Sequence, residues 1–148
     1  MKHRQFVSQL AHEQIHAAIR AAESKSSGEI RVMVSHRVAP DPVATAQESF
    51  LRLGMQATTH RNAVLIFVAP RSRTFAVIGD QAVHAKCGGE FWRELAAAMT
   101  GYFKRSEFTD GIVHGIDRAG ALLAAHFPRA PGDRNELPDA VVEEGGEP

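Results

Sequence analysis

The run Ala63-Val64-Leu65-Ile66-Phe67-Val68-Ala69 carries no polar side chain, and Pro70-Arg71-Ser72-Arg73 and Thr74-Phe75-Ala76-Val77-Ile78 follow it directly. A short run that is apolar on both faces predicts a central strand covered by helices on each side. The segment from Pro70 to Arg73 predicts a turn. The run after it predicts an antiparallel return strand stopped by Gly79-Asp80.

Upstream, Leu10, Ala11, Ile15, Ala18, Ile19 and Ala22 fall on one helical stripe, with Glu13, His16 and Arg20 away from it. This helix should end within Ser24 to Gly28, where Gly28 can take the positive φ of a helix stop or turn. Glu29 to His36 alternates with period two and is rich in β-branched residues, which predicts the first strand. Asp41-Pro42 has the form of an N-cap and a first-turn proline, opening a helix with Val43, Ala46, Phe50 and Leu53 inward.

Downstream, a third helix is expected from Gly89 to Lys104, with Phe91, Leu95, Ala98, Met99 and Tyr102 inward. A fourth begins near Thr109 and turns Ile112, Ile116, Ala119, Leu123 and Phe127 to one side. On it Gly111, Gly115 and Ala119 are spaced by four, a pattern for close packing. The order αβαββαα predicts an α/β layered domain with a mixed sheet: strands one and two parallel through a right-handed crossover, strands two and three a hairpin. Residues 1–128 form this one domain. Residues 129–148 are rich in Pro, Gly and carboxylates and read as a tail, docked at most through Leu137 and Val141.

Composition narrows the function. A chain of 148 residues suits one domain with a core that needs no metal or disulfide staple. Its 17 basic and 17 acidic side chains cancel, so no global field favours nucleic acid or anionic lipid. Cys87 is the single cysteine, which fits a reducing compartment. No apolar run has the length of a signal peptide core or of a membrane span, so a cytoplasmic protein without direct membrane insertion is expected.

Several short motifs resemble the TPM domain family: Ala22-Glu23, Ser27-Gly28-Glu29-Ile30, Arg61-Asn62-Ala63-Val64-Leu65-Ile66-Phe67-Val68 and Ile78-Gly79-Asp80. Phe91-Trp92 and Asn135-Glu136-Leu137-Pro138-Asp139 resemble a stand-alone bacterial branch of it. That family is known for a thylakoid-lumen protein of photosystem II repair, a related chloroplast protein and a receptor modulator in worms. The resemblance implies a Rossmann-like α/β/α domain. It also implies divalent-ion binding near acidic loops, for which calcium and magnesium are the candidate ions. Two functional themes come with it: acid-phosphatase activity, and assembly or maintenance roles beside membrane complexes. Membrane-anchored relatives or a membrane complex are the partners so implied. The chain departs from the family at Gly79-Asp80-Gln81-Ala82-Val83-His84, where many members carry a glycine-rich loop.

Topology adds a candidate site. An antiparallel third strand brings Ser27-Gly28-Glu29, His60-Arg61-Asn62 and Gly79 to His84 to one rim of the sheet. Glu29 and Asp80 would be the metal-binding or acid/base pair, Arg61 with Asn62 the ligand-binding groups, and His84 a proton carrier. The plainer alternative is turn chemistry: Glu29 paired with Arg61, Asn62 capping a turn, Asp80 closing one. The opposite rim offers His36, Arg37, Asp41, Arg71 and Arg73, which suit an anionic ligand or a solvated turn.

Weaker patterns are also present. His12-Glu13-Gln14-Ile15-His16 matches a zinc-protease motif, but an inward Ile15 and Ile19 turn Glu13 outward, and no third histidine follows. Cys87 could form a nucleophile with His84 at a helix start, or simply be buried. Asp110, His114 and Asp117 share a helix face and could chelate an ion or lie in solvent. Three functions remain: a non-catalytic binding or assembly module, a weak metal-assisted acid phosphatase, and a binder of small anions or peptides.

Overall fold

The computed structural model describes residues 2–129 and 141–143. Its helices are α1 (His3–Ser8), α2 (His12–Glu23), α3 (Pro42–Arg52), α4 (Gln81–Lys104) and α5 (Phe108–His126). The strands are β1 (Glu29–Val34), β2 (Ala63–Ala69), β3 (Thr74–Gly79) and β4 (Val142–Glu143), with a 3₁₀ turn at Met55–Ala57. They form one sheet in the order β3-β2-β1-β4. β1 runs parallel to β2 and to β4, while β2 and β3 form the antiparallel hairpin. The α/β/α layering and mixed sheet expected from the sequence are therefore the observed fold.

The strand alternation sorts the core into two layers. Ile30, Val32 and Val34 of β1 and Val64, Ile66 and Val68 of β2 face α1, α2, α4 and α5. Met33, Leu65, Phe67 and Ala76 face the other way, onto Ala46 and Phe50 of α3 and Met55 of the 3₁₀ turn. All seven residues of β2 are buried, as its two-sided apolarity requires. Each fully buried large aliphatic contributes about 1.5–3 kcal/mol, so the central strand anchors both layers.

Four expectations need correction. The first helix is two: α1 ends at Ser8, and Leu10 is buried in the link before α2 while Ala11 is exposed. Val43 is not inward but 48% exposed. Gly28 does not take a positive φ, which among the described glycines belongs to Gly54 and Gly88. Gly28 is needed for room, because a Cβ there would lie 2.7 Å from Leu123 Cδ1. Finally, Gln81 to Cys87 is helical rather than loop, and only Gly88 (φ 71, ψ 176) breaks α4.

The small-residue face of α5 packs closely. A Cβ on Gly111 would meet Phe103 at 2.6 Å, and one on Gly115 would meet Met99 Sδ at 2.9 Å. Beyond Pro128 the chain returns at residues 141–143, where Val142 pairs beside Met33 and Val141 packs on the core. Leu137 and the Asn135–Asp139 motif lie outside the described residues.

Candidate functional site

Three strand ends meet at one rim. Glu29 stands opposite Ala63, and Val64 opposite Gly79, so Glu29, Ala63 and Asp80 form a row across the sheet. Glu29 and Asp80 flank that row, two strand spacings or roughly 9–10 Å apart along the main chain. Both are buried, at 1% and 7% exposure.

Asp80 is fully engaged. Arg61 Nε donates to its Oδ2 at 2.7 Å and Arg61 Nη2 to its Oδ1 at 3.0 Å. The Gln81 backbone N–H donates to Oδ1 at 2.8 Å, so Asp80 also caps α4. Arg61 reaches it from a left-handed backbone (φ 52), a conformation that costs a non-glycine residue about 1–3 kcal/mol. The hydrogen bond to Asp80 holds the Arg61 guanidinium above its ordinary pKa. The arginine thus pairs with Asp80, not with Glu29.

Asn62, 1% exposed, donates from Nδ2 to Ser27 Oγ at 3.0 Å. Its Oδ1 is buried and accepts no hydrogen bond, and the same holds for Thr58 Oγ1 and Gln56 Oε1 on the connector leading to β2. Glu29 shares a strand face with Met33, so it points to the α3 side. His84 is exposed one turn into α4, and its backbone N–H donates to Asp80 O at 3.0 Å. The rim therefore joins Arg61 to Asp80 and Ser27 to Asn62, sets Glu29 in the same row, and leaves His84 facing solvent.

Sequence patterns missed the buried oxygens of Gln56 and Thr58; the polar run Thr58-Thr59-His60 before an apolar strand was the available sign. They also assigned no role to Glu23, which is 6% exposed and accepts from Ile30 N through Oε2 at 2.9 Å.

At the opposite rim most polar groups have structural partners. Asp41 Oδ1 caps α3 by accepting from Ala44 N at 3.2 Å. Arg37 reaches Ser49 Oγ at 3.3 Å and Glu48 at 3.9 Å, and Arg71 Nη1 donates to His36 O at 3.3 Å.

The weaker patterns resolve by position. Ile15 and Ile19 are completely buried, Glu13 is exposed, and a ring nitrogen of His12 lies 3.1 Å from Val7 O. Among the described residues no three His, Cys, Asp or Glu side chains gather as a metal-holding group, the Asp110–His114–Asp117 face included. Cys87 is half-buried at the end of the helical turns before Gly88, and burial pushes its thiol above the ordinary range. Desolvation outweighs the hydrogen-bond effects that lower it.

The TPM domain matches the chain over residues 1–122. The chain belongs to the TPM domain family. Among solved structures, the TPM fold here is similar to the NMR structure of the BA42 protein from the psychrophilic bacterium Bizionia argentinensis. The two are 36% identical with a TM-score of 0.82, over 91% of this chain and 95% of that one. None of the curated proteins matches it. No helix among the described residues is long and apolar enough to cross a membrane.

Proposed function

We propose that this TPM domain is a non-catalytic assembly module that docks a protein of a membrane complex, or a membrane-anchored relative, on the outer face of α3. One observation carries this. The large apolar side chains exposed among the described residues are Val38, Val43 and Leu51, at 56%, 48% and 61%. Val43 and Leu51 are eight residues apart and so share one face of α3, with Val38 on the loop that feeds it. Single exposed aliphatics are ordinary, but their confinement to one helix and the loop that feeds it favours a contact surface. The closed Arg61–Asp80 pair argues in the same direction, since it consumes the acid that a catalytic mechanism at this rim would use.

The test is crosslinking of the tagged full chain in its own cells, followed by purification and identification of what is bound. A membrane-complex component recovered with the wild type and lost with Val43→Asp/Leu51→Asp, at unchanged thermal stability, supports the reading. Equal recovery by the variant sinks it.

A second reading is a divalent-cation site, favoured by the buried Asn62 Oδ1. Asn62, Gln56 and Thr58 with Glu29 supply hard oxygen donors of the kind calcium or magnesium takes. Asp80 does not fit such a site while Arg61 holds both its oxygens. Titration with each ion should move the Asn62 side-chain amide and Glu29 signals; stationary signals at millimolar ion rule the reading out. The metal-assisted phosphatase alternative further requires Asp80 to leave Arg61. A phosphomonoester assay with and without the ion, repeated with Glu29→Ala and Asp80→Ala, decides it: activity that survives both changes does not come from this rim.

A further inference from the structure

A cavity of about 470 Å³ opens at the hairpin end of the sheet, beyond the carboxyl end of β2. Open α/β sheets generally take ligands beyond the carboxyl ends of their parallel strands. Its size lies within the range of small-molecule sites. Four phenylalanines from four elements form the floor: Phe6 of α1, Phe75 of β3, Phe103 of α4 and Phe108 of α5. Their rings are linked in a chain. Phe75 meets Phe103 edge-on at 5.0 Å, Phe103 lies 6.2 Å from Phe108, and Phe108 lies 4.8 Å from Phe6. Such interlocked rings make a preformed apolar surface rather than a loose dimple. Only Phe6 is fully buried; the other three remain partly open.

The mouth is cationic. Arg73 of the hairpin turn and Lys104 at the end of α4 line it, and no acidic residue does so among the described residues. Their neighbours are already paired: Arg71 bonds the His36 carbonyl, and Arg105 pairs with Glu107 at 3.1 Å. Arg73 and Lys104 are exposed and make no ion pair among the described residues. Both sides of the mouth also hold strained backbone. Of the three non-glycine residues with positive φ among the described residues, two are here, Arg73 (φ 55) and Ser106 (φ 59). These left-handed turns fix the backbone on either side of the mouth.

We infer that this cavity binds a small amphipathic anion, an apolar chain or ring ending in one carboxylate. The body would rest on the phenylalanine floor and the carboxylate between Arg73 and Lys104. The site is independent of the α3 surface and of the rim that holds Glu29 and Asp80.

The experiment is an NMR titration of the full chain with octanoate, 1-octanol and acetate. Octanoate should shift amides of residues 73–75 and 103–108, and octanol and acetate should bind at least about tenfold more weakly. The double variant Arg73→Asn/Lys104→Gln should weaken octanoate by at least about tenfold while leaving octanol unchanged, since asparagine tolerates the left-handed turn position. A second variant, Phe103→Leu, keeps an apolar core residue and should weaken both eight-carbon ligands. Three results overturn the proposal: shifts mapping elsewhere, octanol matching octanoate, or undiminished octanoate binding by a double variant whose spectrum is that of the folded protein.

Discussion

Arg61 grips both carboxylate oxygens of Asp80, at 2.7 and 3.0 Å, from a backbone conformation that side chains avoid. The strain is tolerated because one contact ties three elements: the turn before β2, the end of β3 and the first turn of α4. Asp80→Ala removes the arginine bonds and the helix cap together, and the cap alone is worth about 1 kcal/mol. Asp80→Asn keeps an acceptor for Gln81 N and should fall between wild type and Asp80→Ala in urea unfolding. Arg61→Gln should also be milder than Asp80→Ala, because the cap survives. An Asp80→Ala midpoint equal to wild type would mean that the pair is ornamental.

Gly120 and Gly101 both sit inside helices but should respond oppositely to alanine. A Cβ on Gly120 would lie 2.7 Å from Ala22 Cβ, a short side chain that cannot swing aside. Overpacking costs about 1–3 kcal/mol and outweighs the roughly 1 kcal/mol gained in helix propensity. At Gly101 the nearest atom is the flexible Arg105 Nη1, at 3.6 Å. Gly101→Ala should therefore stabilise by about 0.4–1 kcal/mol. Thermal melts of the two variants should move in opposite directions.

The layered fold was legible because its signals are local and repeated. The bounds of β2 follow from an unbroken apolar run, and Ile112, Ile116, Ala119 and Leu123 of α5 recur at helical spacing and are all fully buried. The break between α1 and α2 was hidden because Leu10 continues the apolar stripe across a bend. The first turns of α4 were hidden because Gln81, His84, Ala85 and Lys86 are exposed and show no inward pattern beyond Val83. β4 is two residues long, too short for any period. At the rim, topology foretold which loops meet. It could not foretell that Arg61 would choose Asp80 over Glu29, since that rests on a left-handed φ at a residue type that rarely adopts one.

Ser106 completes the end of α4 as a Schellman motif. Its N–H donates to Phe103 O at 3.0 Å, and the Glu107 N–H reaches back to Tyr102 O at 3.0 Å. Glycine usually holds this left-handed position, because a side chain there costs roughly 1–2 kcal/mol. Ser106→Gly should raise stability by about 0.5–1 kcal/mol once the added freedom of the unfolded chain is subtracted. A lowered midpoint in urea would show that the serine side chain makes a contact that outweighs its strain.

Cys87 should be a sluggish nucleophile. Burial raises its thiol pKa, against weaker opposing effects from its own backbone N–H and Trp92. The folded state thus favours the neutral thiol. Its contribution to stability is fully present below the unfolded thiol's range and is lost as pH rises through the raised value. The pH profile of iodoacetamide labelling should inflect higher in the folded protein than in the urea-unfolded chain. An inflection at or below the unfolded value would instead indicate an activated thiol.

Glu23 closes a gap at the start of β1. Its Oε2 accepts from the buried Ile30 N–H at 2.9 Å, and its backbone carbonyl accepts from Arg129 Nη1 at 2.9 Å. Glu23→Ala leaves the Ile30 donor buried and unsatisfied, a loss of about 1–3 kcal/mol. Glu23→Gln retains an oxygen acceptor of the same reach and should recover most of that loss. Hydrogen exchange distinguishes this from a general packing defect: the Ile30 amide should lose protection in Glu23→Ala and regain it in Glu23→Gln. Equal loss of protection throughout β1 in both variants would mean that the carboxylate supports the strand by packing rather than through this bond.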